Sequence, residues 1–319
     1  MPSVVKNAVC GPQVAGPKRP DNWDDIEGLN PCPLNACCDT WGQCGTTDKF
    51  CTKTNSTTGA PGTAKNGTDG CISNCGTEIK DNSGYPSDLP MAVGYYEAFN
   101  NQRPCLTLSV EAIKTQRVIG YSDPHDLNID VLWSHVHFAF ANVTEDFDVD
   151  VSSVKDEFEA FTKLKTPRAQ PRVLSFGGWS FSTALDSYAI FRKGVTDAQR
   201  EKFATNVVNF AKDNNLNGLD FDWEYPGAPD IPGIPAGDKG DGKRYLEFLK
   251  MVRDKLPEMT LSIASPASYW YLKGFPIKDI SDVVDYIVFI TYDLHGQWDY
   301  NNDWSDPGCD GGRLSPVSR

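Results

Sequence analysis

The sequence predicts an α/β protein in which repeated βα units follow a small N-terminal domain held together by disulfides. Two observations predict this fold class. Eight of the ten cysteines lie within the first 75 residues, and so cysteine-dense a segment is usually cross-linked in an oxidising compartment. From residue 91 onward, short apolar runs rich in β-branched and aromatic residues alternate with amphipathic segments. That alternation is typical of a parallel sheet covered by helices.

Composition and charge exclude two classes of partner. The chain has 319 residues, enough for two domains, and its 30 basic against 43 acidic residues leave a net charge of −13. This negative charge repels phosphate backbones and anionic lipid head groups. The longest apolar run, Val283–Ile290, is far shorter than the roughly 20 residues that span a bilayer. We therefore expect a protein that binds neither nucleic acid nor membranes.

The cysteine-rich domain is predicted over residues 1–80, a linker over 81–90, and the βα units over 91–319. A zinc site is an alternative to disulfides, because Cys71 and Cys75 have a spacing that zinc ligands adopt. Against zinc, the first 124 residues contain no histidine, and the adjacent Cys37 and Cys38 are an awkward pair of ligands. We favour disulfides, although eight cysteines leave roughly a hundred pairings open.

Six apolar, β-rich runs are predicted as strands: Ala92–Tyr96, His135–Ala141, Arg172–Phe176, Gly218–Asp222, Thr260–Ala264 and Tyr286–Tyr292. The clearest helix is Thr196–Asn214, in which Thr196 and Gln199 have the spacing of a capping box. A second helix is predicted over Tyr245–Leu256. Six such units fit either an open doubly wound sheet or a TIM barrel, and periodicity alone does not decide between them.

The strongest chemical signal is the segment LNGLDFDWEYP, residues 216–226. Side chains alternate faces along a strand, so Asp220, Asp222 and Glu224 share one face and the apolar residues between them share the other. Three acids in a row are costly to bury, and their repulsion raises at least one pKa toward that of a general acid. Glu224 would lie at the strand's carboxyl end, where barrel enzymes place catalysis. The alternative is a structural ion network or a calcium site, although calcium usually takes oxygen ligands from a flexible loop.

Two histidines share one face of another predicted strand. His135 and His137 are two residues apart, so both project to the same side. They are either metal ligands or histidines of the core, and we favour the core.

The acidic segment and four other motifs resemble the family 18 glycoside hydrolases, the chitinases built on a TIM barrel. The motifs are D-x-D-x-E followed by Tyr-Pro, Ser-Phe-Gly-Gly-Trp at 175–179, Gly-Tyr-Tyr at 94–96, His-Phe-Ala-Phe at 137–140 and Thr-Tyr-Asp at 291–293. The resemblance implies an incomplete (β/α)₈ barrel, since residues 91–319 supply about six strands of eight. We therefore expect a chain truncated at its C-terminus.

The resemblance also implies a mechanism in which the substrate's own N-acetyl oxygen is the nucleophile. Glu224 would protonate the leaving oxygen and Asp222 would orient the acetamide. Asp220 would exchange hydrogen bonds with Asp222, and Tyr292 would bond the acetamide carbonyl. The implied substrate-binding residues are Tyr95, Ser175, Gly178, Trp179, Asp293 and Trp298, with Trp304 as a further candidate for sugar stacking. Neither a metal nor a cofactor is implied.

The N-terminal cysteines resemble a hevein-type chitin-binding module, in the order Cys-Gly at 10, Cys-Pro at 32, CCDTWGQCG at 37–45, and cysteines at 51, 71 and 75. The implied pairing is Cys10–Cys38, Cys32–Cys44, Cys37–Cys51 and Cys71–Cys75. Trp41 and Phe50 match stacking positions for N-acetylglucosamine rings, and Asp39 matches a polar contact. Gln43 departs from the family, because an aromatic residue usually stands there.

The two modules together resemble fungal chitinases of the killer-toxin α-subunit-like group. This combination implies a secreted monomer, in the extracellular space or the cell wall, that binds chitin and N-acetylglucosamine oligomers. Tethering a binding module to the enzyme raises its local concentration on an insoluble polymer. The alternative function is that of a chitin-binding lectin or toxin-like subunit that does not hydrolyse. Retention of Glu224 favours the enzyme.

Overall fold

The computed structural model describes residues 6–16, 23–54, 67–76, 91–104, 107–114, 118–119, 130–131, 133–165 and 171–292. The chain divides into two compact units, Met1–Pro86 and Ser87–Arg319. The division falls inside residues 81–90, the segment that the sequence predicts as a linker. Among the helices described, none combines the length and the apolar character that a membrane crossing requires.

Disulfides replace an apolar core in the N-terminal unit. The described cysteines pair as Cys10–Cys38, Cys32–Cys44, Cys37–Cys51 and Cys71–Cys75, which are the pairs that the resemblance implies. Because Cys71 and Cys75 are bonded to each other, their sulfurs are not available as zinc ligands. The regular elements are short: strands Cys37–Cys38 and Cys44–Gly45, helix Asp48–Cys51, and 3₁₀ turns Gly11–Gln13, Trp23–Gly28 and Pro33–Asn35.

Six parallel strands form the sheet of the second unit in its described residues. They are β1 Val93–Glu97, β2 His135–Val143, β3 Arg172–Gly177, β4 Gly218–Asp222, β5 Thr260–Pro266 and β6 Tyr286–Ile290. Every strand pairs with its neighbour along the chain, from β1 to β6. A doubly wound sheet reverses its strand order at a switch point, whereas this order runs in one direction. The sheet is therefore half of a barrel, as the resemblance implies.

The remaining elements surround the sheet. The helices are α1 Lys155–Thr162, α2 Gly178–Thr183, α3 Ala189–Gly194, α4 Arg200–Asp213, α5 Asp241–Lys255, α6 Tyr269–Leu272 and α7 Ile277–Ser281. The 3₁₀ turns are Asn100–Gln102, Val110–Lys114 and Ser152–Val154. Two further pairings are antiparallel: Val149–Asp150 lies against β2, and Val118–Ile119 lies against Asp130–Val131.

The predicted capping box at the start of the long helix is wrong. The helix begins at Arg200 rather than at Thr196, and it has no side-chain cap. The hydroxyl of Thr196 instead donates to the Lys193 carbonyl at 2.6 Å, which closes the end of α3. Residues 195–199 are thus the turn between two helices, and the threonine serves the helix before it. The second predicted helix begins at Asp241, one turn earlier than expected.

Aromatic packing joins the long helices to the middle of the sheet. The rings of Phe203 in α4 and Phe248 in α5 stack with their centroids 4.6 Å apart. Phe221 of β4 meets Phe248 edge-on at 5.0 Å. All three side chains are fully buried. This face of β4 therefore belongs to the apolar core, which leaves the opposite face for the polar side chains of the strand.

Candidate active site

Strand β4 carries the acidic residues on its concave face. Leu219, Phe221 and Trp223 enter the apolar cluster, while Asp220 and Asp222 alternate with them and are also buried. Glu224 lies two residues past the end of the strand and is buried as well. Its backbone N–H donates to the Ser182 hydroxyl at 3.0 Å, which links the loop to α2. The strand thus places three carboxyl groups in succession toward its carboxyl end.

Hydroxyl groups from three strands saturate the carboxylate of Asp220. Its Oδ2 accepts from Tyr95 of β1 at 3.0 Å and from Ser175 of β3 at 2.8 Å, and its Oδ1 accepts from Ser262 of β5 at 2.7 Å. Burial raises the pKa of Asp220, but the hydrogen bond and the charge of His137, together with hydrogen bonds from Ser262 and Ser175, outweigh burial and hold the pKa below its ordinary value. This environment favours the carboxylate form of Asp220.

Asp222 has the opposite environment. Within the described part of the chain, no hydrogen-bond partner lies within reach of its buried Oδ1. Burial raises its pKa well above the ordinary value, and the nearby charges of Glu224 and Asp220 raise it further. The pKa values of the two acids are therefore shifted in opposite directions. The pKa of Asp220 is lowered, which favours its carboxylate form, and the pKa of Asp222 is raised, which favours its protonated form. Such separation is typical of catalytic carboxyl pairs.

A second layer of polar groups lies behind Asp220, and the sequence does not predict its connections. His137 of β2 is fully buried, with Nδ1 at 3.1 Å from the Ser175 hydroxyl and Nε2 at 2.6 Å from the Tyr286 hydroxyl of β6. Ser262 and Tyr286 stand out in the sequence only as single polar residues within apolar runs. The sheet register makes Ser175, Asp220, Ser262 and Tyr286 lateral neighbours. Strand spacing cannot reveal that row before the register is known.

Two glycines at the end of β3 allow neighbouring groups to lie close to the backbone. Gly177 has φ +106°, and a Cβ at this position would lie 2.1 Å from the carbonyl oxygen of Asp222. Gly178 has φ +81°, and a Cβ there would lie 2.8 Å from the ring of Phe140. Both conformations favour glycine. Gly178, predicted to contact substrate, is buried against Phe140.

A row of aromatic rings begins beside the acids. Trp179 is 49% exposed, and its ring centroid is 6.4 Å from that of Tyr225, which stacks on Tyr271 at 4.7 Å. Trp270 is also exposed and donates its indole N–H to Asp230 at 3.0 Å. The sequence singles out Trp179 as a stacking residue, because Trp270 and Tyr271 lie in the short helix α6 and Tyr225 lies past β4, at positions that periodicity does not predict.

The remaining predicted site residues differ in placement. Tyr95 contacts Asp220 directly, and Tyr292 is 72% exposed just past β6. Asp293, Trp298 and Trp304 lie outside the described residues, as do Cys105 and Cys309.

Among the N-terminal residues whose exposure the structure describes, one aromatic ring is prominently exposed to solvent. Trp41 is 54% exposed, whereas Phe50 packs over Gly45, where a Cβ would lie 2.4 Å from its ring. Asp39 is buried, and its Oδ1 accepts the backbone N–H groups of Trp41 at 2.9 Å and Gln43 at 2.8 Å. This carboxylate closes the turn that presents Trp41, and the polar sugar contact expected of Asp39 stays a prediction.

Comparisons with known proteins agree with the architecture. Residues 91–307 match the glycosyl hydrolases family 18, and residues 25–59 match the chitin recognition protein family. The chain is 50% identical over 98% of its length to the secreted chitinase LysM12 of Penicillium expansum. It is 43% identical over 97% of its length to the killer toxin subunits alpha/beta of Kluyveromyces lactis. It spans only 20% and 24% of those two proteins.

A solved structure shares the fold of the second unit. The Ostrinia furnacalis Group II chitinase catalytic domain 2 is 26% identical, with a TM-score of 0.51 over 66% of this chain and 52% of that one. The family match covers most of the chain and includes all six strands of the half-barrel. The chain belongs to glycosyl hydrolase family 18.

Proposed function

We propose that this protein is a chitinase that cleaves β-1,4 bonds between N-acetylglucosamine units with retention of configuration. The observation that carries the proposal is the contrast between two buried carboxyl groups on one strand. Asp220 is saturated with hydrogen bonds, whereas Asp222 has a raised pKa and an oxygen without a partner among the residues that the structure describes. A neutral Asp222 next to the binding face suits a group that must hold the amide of a substrate.

In the first step, the acetamide oxygen of the sugar attacks its own anomeric carbon and forms an oxazolinium ion. The bond from that carbon to the glycosidic oxygen breaks, and the carboxyl proton of Glu224 passes to the departing oxygen. Asp222 bonds the acetamide N–H and stabilises its developing positive charge. Tyr292 bonds the acetamide oxygen and orients it for attack.

In the second step, a water molecule attacks the anomeric carbon from the face that the leaving group has vacated. Glu224, now a carboxylate, takes a proton from this water, and the oxazolinium ring opens to restore the acetamide. Two inversions at one carbon give net retention. Because Glu224 returns to its acid form, the cycle needs no outside reductant, oxidant or metal.

The N-terminal unit supports the same function by holding the enzyme on its polymer. An exposed indole such as that of Trp41 stacks on the apolar face of a pyranose ring. Tethering then raises the concentration of the catalytic unit at the chitin surface. We assign residues 1–80 to this module, 81–90 to a linker and 91–319 to the catalytic unit. Four disulfides and the printed name of the LysM12 relative support secretion.

A second candidate function is chitin binding without cleavage, as in a toxin-delivery subunit. The killer toxin relative raises this candidate. Glu224 decides against it here, because a binding protein has no use for a buried acid held beside two others.

Substitution Glu224→Gln tests the assignment. The amide keeps the size of the side chain but cannot donate a proton in catalysis, so release of 4-nitrophenol from 4-nitrophenyl chitobioside should fall at least 1,000-fold (a rough figure). Retention on chitin beads should persist. The matched control is Glu247→Gln, an exposed position on α5, which should retain wild-type rates. Equal turnover in the wild type and Glu224→Gln would refute the role of Glu224.

A further inference from the structure

One arrangement of protons satisfies the polar groups behind Asp220. The Ser175 hydroxyl donates its only hydrogen to Asp220 Oδ2 at 2.8 Å. It must therefore accept from His137, whose Nδ1 is 3.1 Å away. Nδ1 then carries a hydrogen, and in a neutral ring Nε2 keeps a lone pair that can accept the Tyr286 O–H at 2.6 Å.

The same arrangement brings the imidazole to Asp220 itself. His137 Nδ1 is 3.3 Å from Asp220 Oδ2, and both side chains are fully buried. An Nδ1–H that points toward Asp220 Oδ2 stabilises the carboxylate form of Asp220, whereas an Nδ1 lone pair in that direction would repel the carboxylate. A Tyr286 hydroxyl that donates to Nε2 favours the Nδ1–H form of a neutral ring, because Nε2 can accept only when it carries no hydrogen. Tyr286 thus acts on Asp220 through the histidine ring.

We propose that His137 and Tyr286 are positioning residues which keep Asp220 ionised while Asp222 holds its proton during hydrolysis. This inference rests on the proposed function. An ionised Asp220 next to Asp222 disfavours ionisation of Asp222. Asp222 thereby keeps its proton, and its carbonyl oxygen can accept the acetamide N–H of the substrate. Neither His137 nor Tyr286 needs to contact the sugar for this effect.

The groups that face Asp220 from other elements do not compete for this role. Tyr95 of β1 and Tyr245 of α5 have pKa values raised by burial first and then by the acidic charges, so both stay neutral. Tyr286 of β6 has a pKa raised chiefly by burial. His135 lies on the same strand face as His137, and its Nδ1 meets the Ser134 hydroxyl at 3.2 Å. Asp222 and Glu224 are the other acids of the row, and the proposal concerns the protonation of Asp222 next to Asp220.

The test is the pH profile of kcat for 4-nitrophenyl chitobioside. Activity falls at low pH as Asp220 gains a proton, so a higher pKa of Asp220 moves the acid limb to higher pH. Tyr286→Phe and His137→Leu should move the acid limb up by about one pH unit. The alkaline limb should not move, because Asp220 is ionised there in the wild type and in the variants alike. His137→Asn, whose amide can replace the Nδ1–H donor, should move the limb less than His137→Leu.

His135→Asn is the matched control, since this ring also packs against Tyr286, at 5.3 Å, without a bond to Asp220. Its acid limb should coincide with that of the wild type. A purely structural role for His137 and Tyr286 would lower kcat equally at every pH. An unmoved acid limb in both Tyr286→Phe and His137→Leu overturns the proposal.

A spectroscopic readout separates failure of this inference from failure of the proposed function. Long-range ¹H–¹⁵N spectra of protein labelled at histidine report the tautomer of His137, assigned by its absence in His137→Asn. The wild type should show the Nδ1–H form, and Tyr286→Phe should show a mixture or the other form. This holds even if the chitobioside is not cleaved. An unchanged Nδ1–H form in Tyr286→Phe overturns the proposal.

Discussion

Asp220 and Asp222 are two residues apart on one strand, yet they differ in every contact that sets a pKa. Asp220 accepts hydroxyl hydrogens from three neighbouring strands, and Asp222 has a buried oxygen without a partner among the described residues. The energetic cost of burial is therefore concentrated on Asp222. Active sites often contain buried polar groups that lower stability, because the same groups are required for activity.

Substitution Asp222→Asn should remove that cost. A carboxyl whose folded-state pKa is raised contributes stability below its unfolded pKa, near 3.8, and loses it as pH rises through the folded pKa. The urea midpoint of Asp222→Asn should therefore exceed that of the wild type by more at pH 8 than at pH 4. Asp254→Asn, at an exposed position of α5, is the control and should show no such trend. A difference in midpoint that does not depend on pH would contradict the raised pKa.

At the scale of elements, the sheet and its covering helices are held by aromatic rings rather than by capping. Helices α3, α4 and α5 begin without side-chain caps, so their positions depend on what they bury. The rings of Phe203, Phe221 and Phe248 meet where α4 and α5 cross β4. This contact supports the apolar side of the strand whose other side carries the acids.

Substitution Phe248→Ala should destabilise the second unit by about 3–5 kcal/mol, because it removes a fully buried ring and leaves a cavity among aromatic neighbours. Phe289→Ala is the matched control on β6, where the ring is 55% exposed, and should cost no more than about 0.5 kcal/mol. Denaturant unfolding of both variants measures the two values. Equal losses would mean that the contact between α5 and β4 does not stabilise the unit.

The predicted bounds are right for a strand that a single alternating pattern defines, and they are wrong for a helix whose predicted first residues bond to the helix before it. Strand Gly218–Asp222 has its predicted bounds, because a run of buried residues ends at the turn that follows. Thr196 and Gln199 failed as a helix start, since the hydroxyl bonded the carbonyl end of the preceding helix. Local spacing could not reveal that a second helix ends two residues earlier, at Gly194.

At the scale of the whole molecule, the two units hold themselves together by different means. The N-terminal unit depends on disulfides, and the second unit depends on a large apolar cluster. Each unit therefore has its own source of stability within its described residues. We expect polymer binding and bond cleavage to respond separately to substitution.

Substitution Trp41→Ala should lower retention on chitin beads roughly tenfold, since it removes an exposed ring that stacks on sugars. The loss in hydrolysis of a soluble chitobioside should be much smaller, because the second unit carries out that reaction. Val9→Ala, an exposed apolar position in the same unit, is the control and should bind as the wild type does. Parallel losses in binding and soluble hydrolysis would show that the units do not act separately.

The sequence by itself determined the acidic row, the order of βα units and the cysteine-rich unit, because each depends on residues close together in the chain. Alternation along one strand is enough to place Asp220 and Asp222 on one face. The tertiary structure alone decided that the pKa of Asp220 is lowered and that of Asp222 is raised. The lowered pKa of Asp220 arises from His137, Ser175 and Ser262, which come from three other strands. Sheet register brings these groups together, and it is not encoded in the spacing of any single segment.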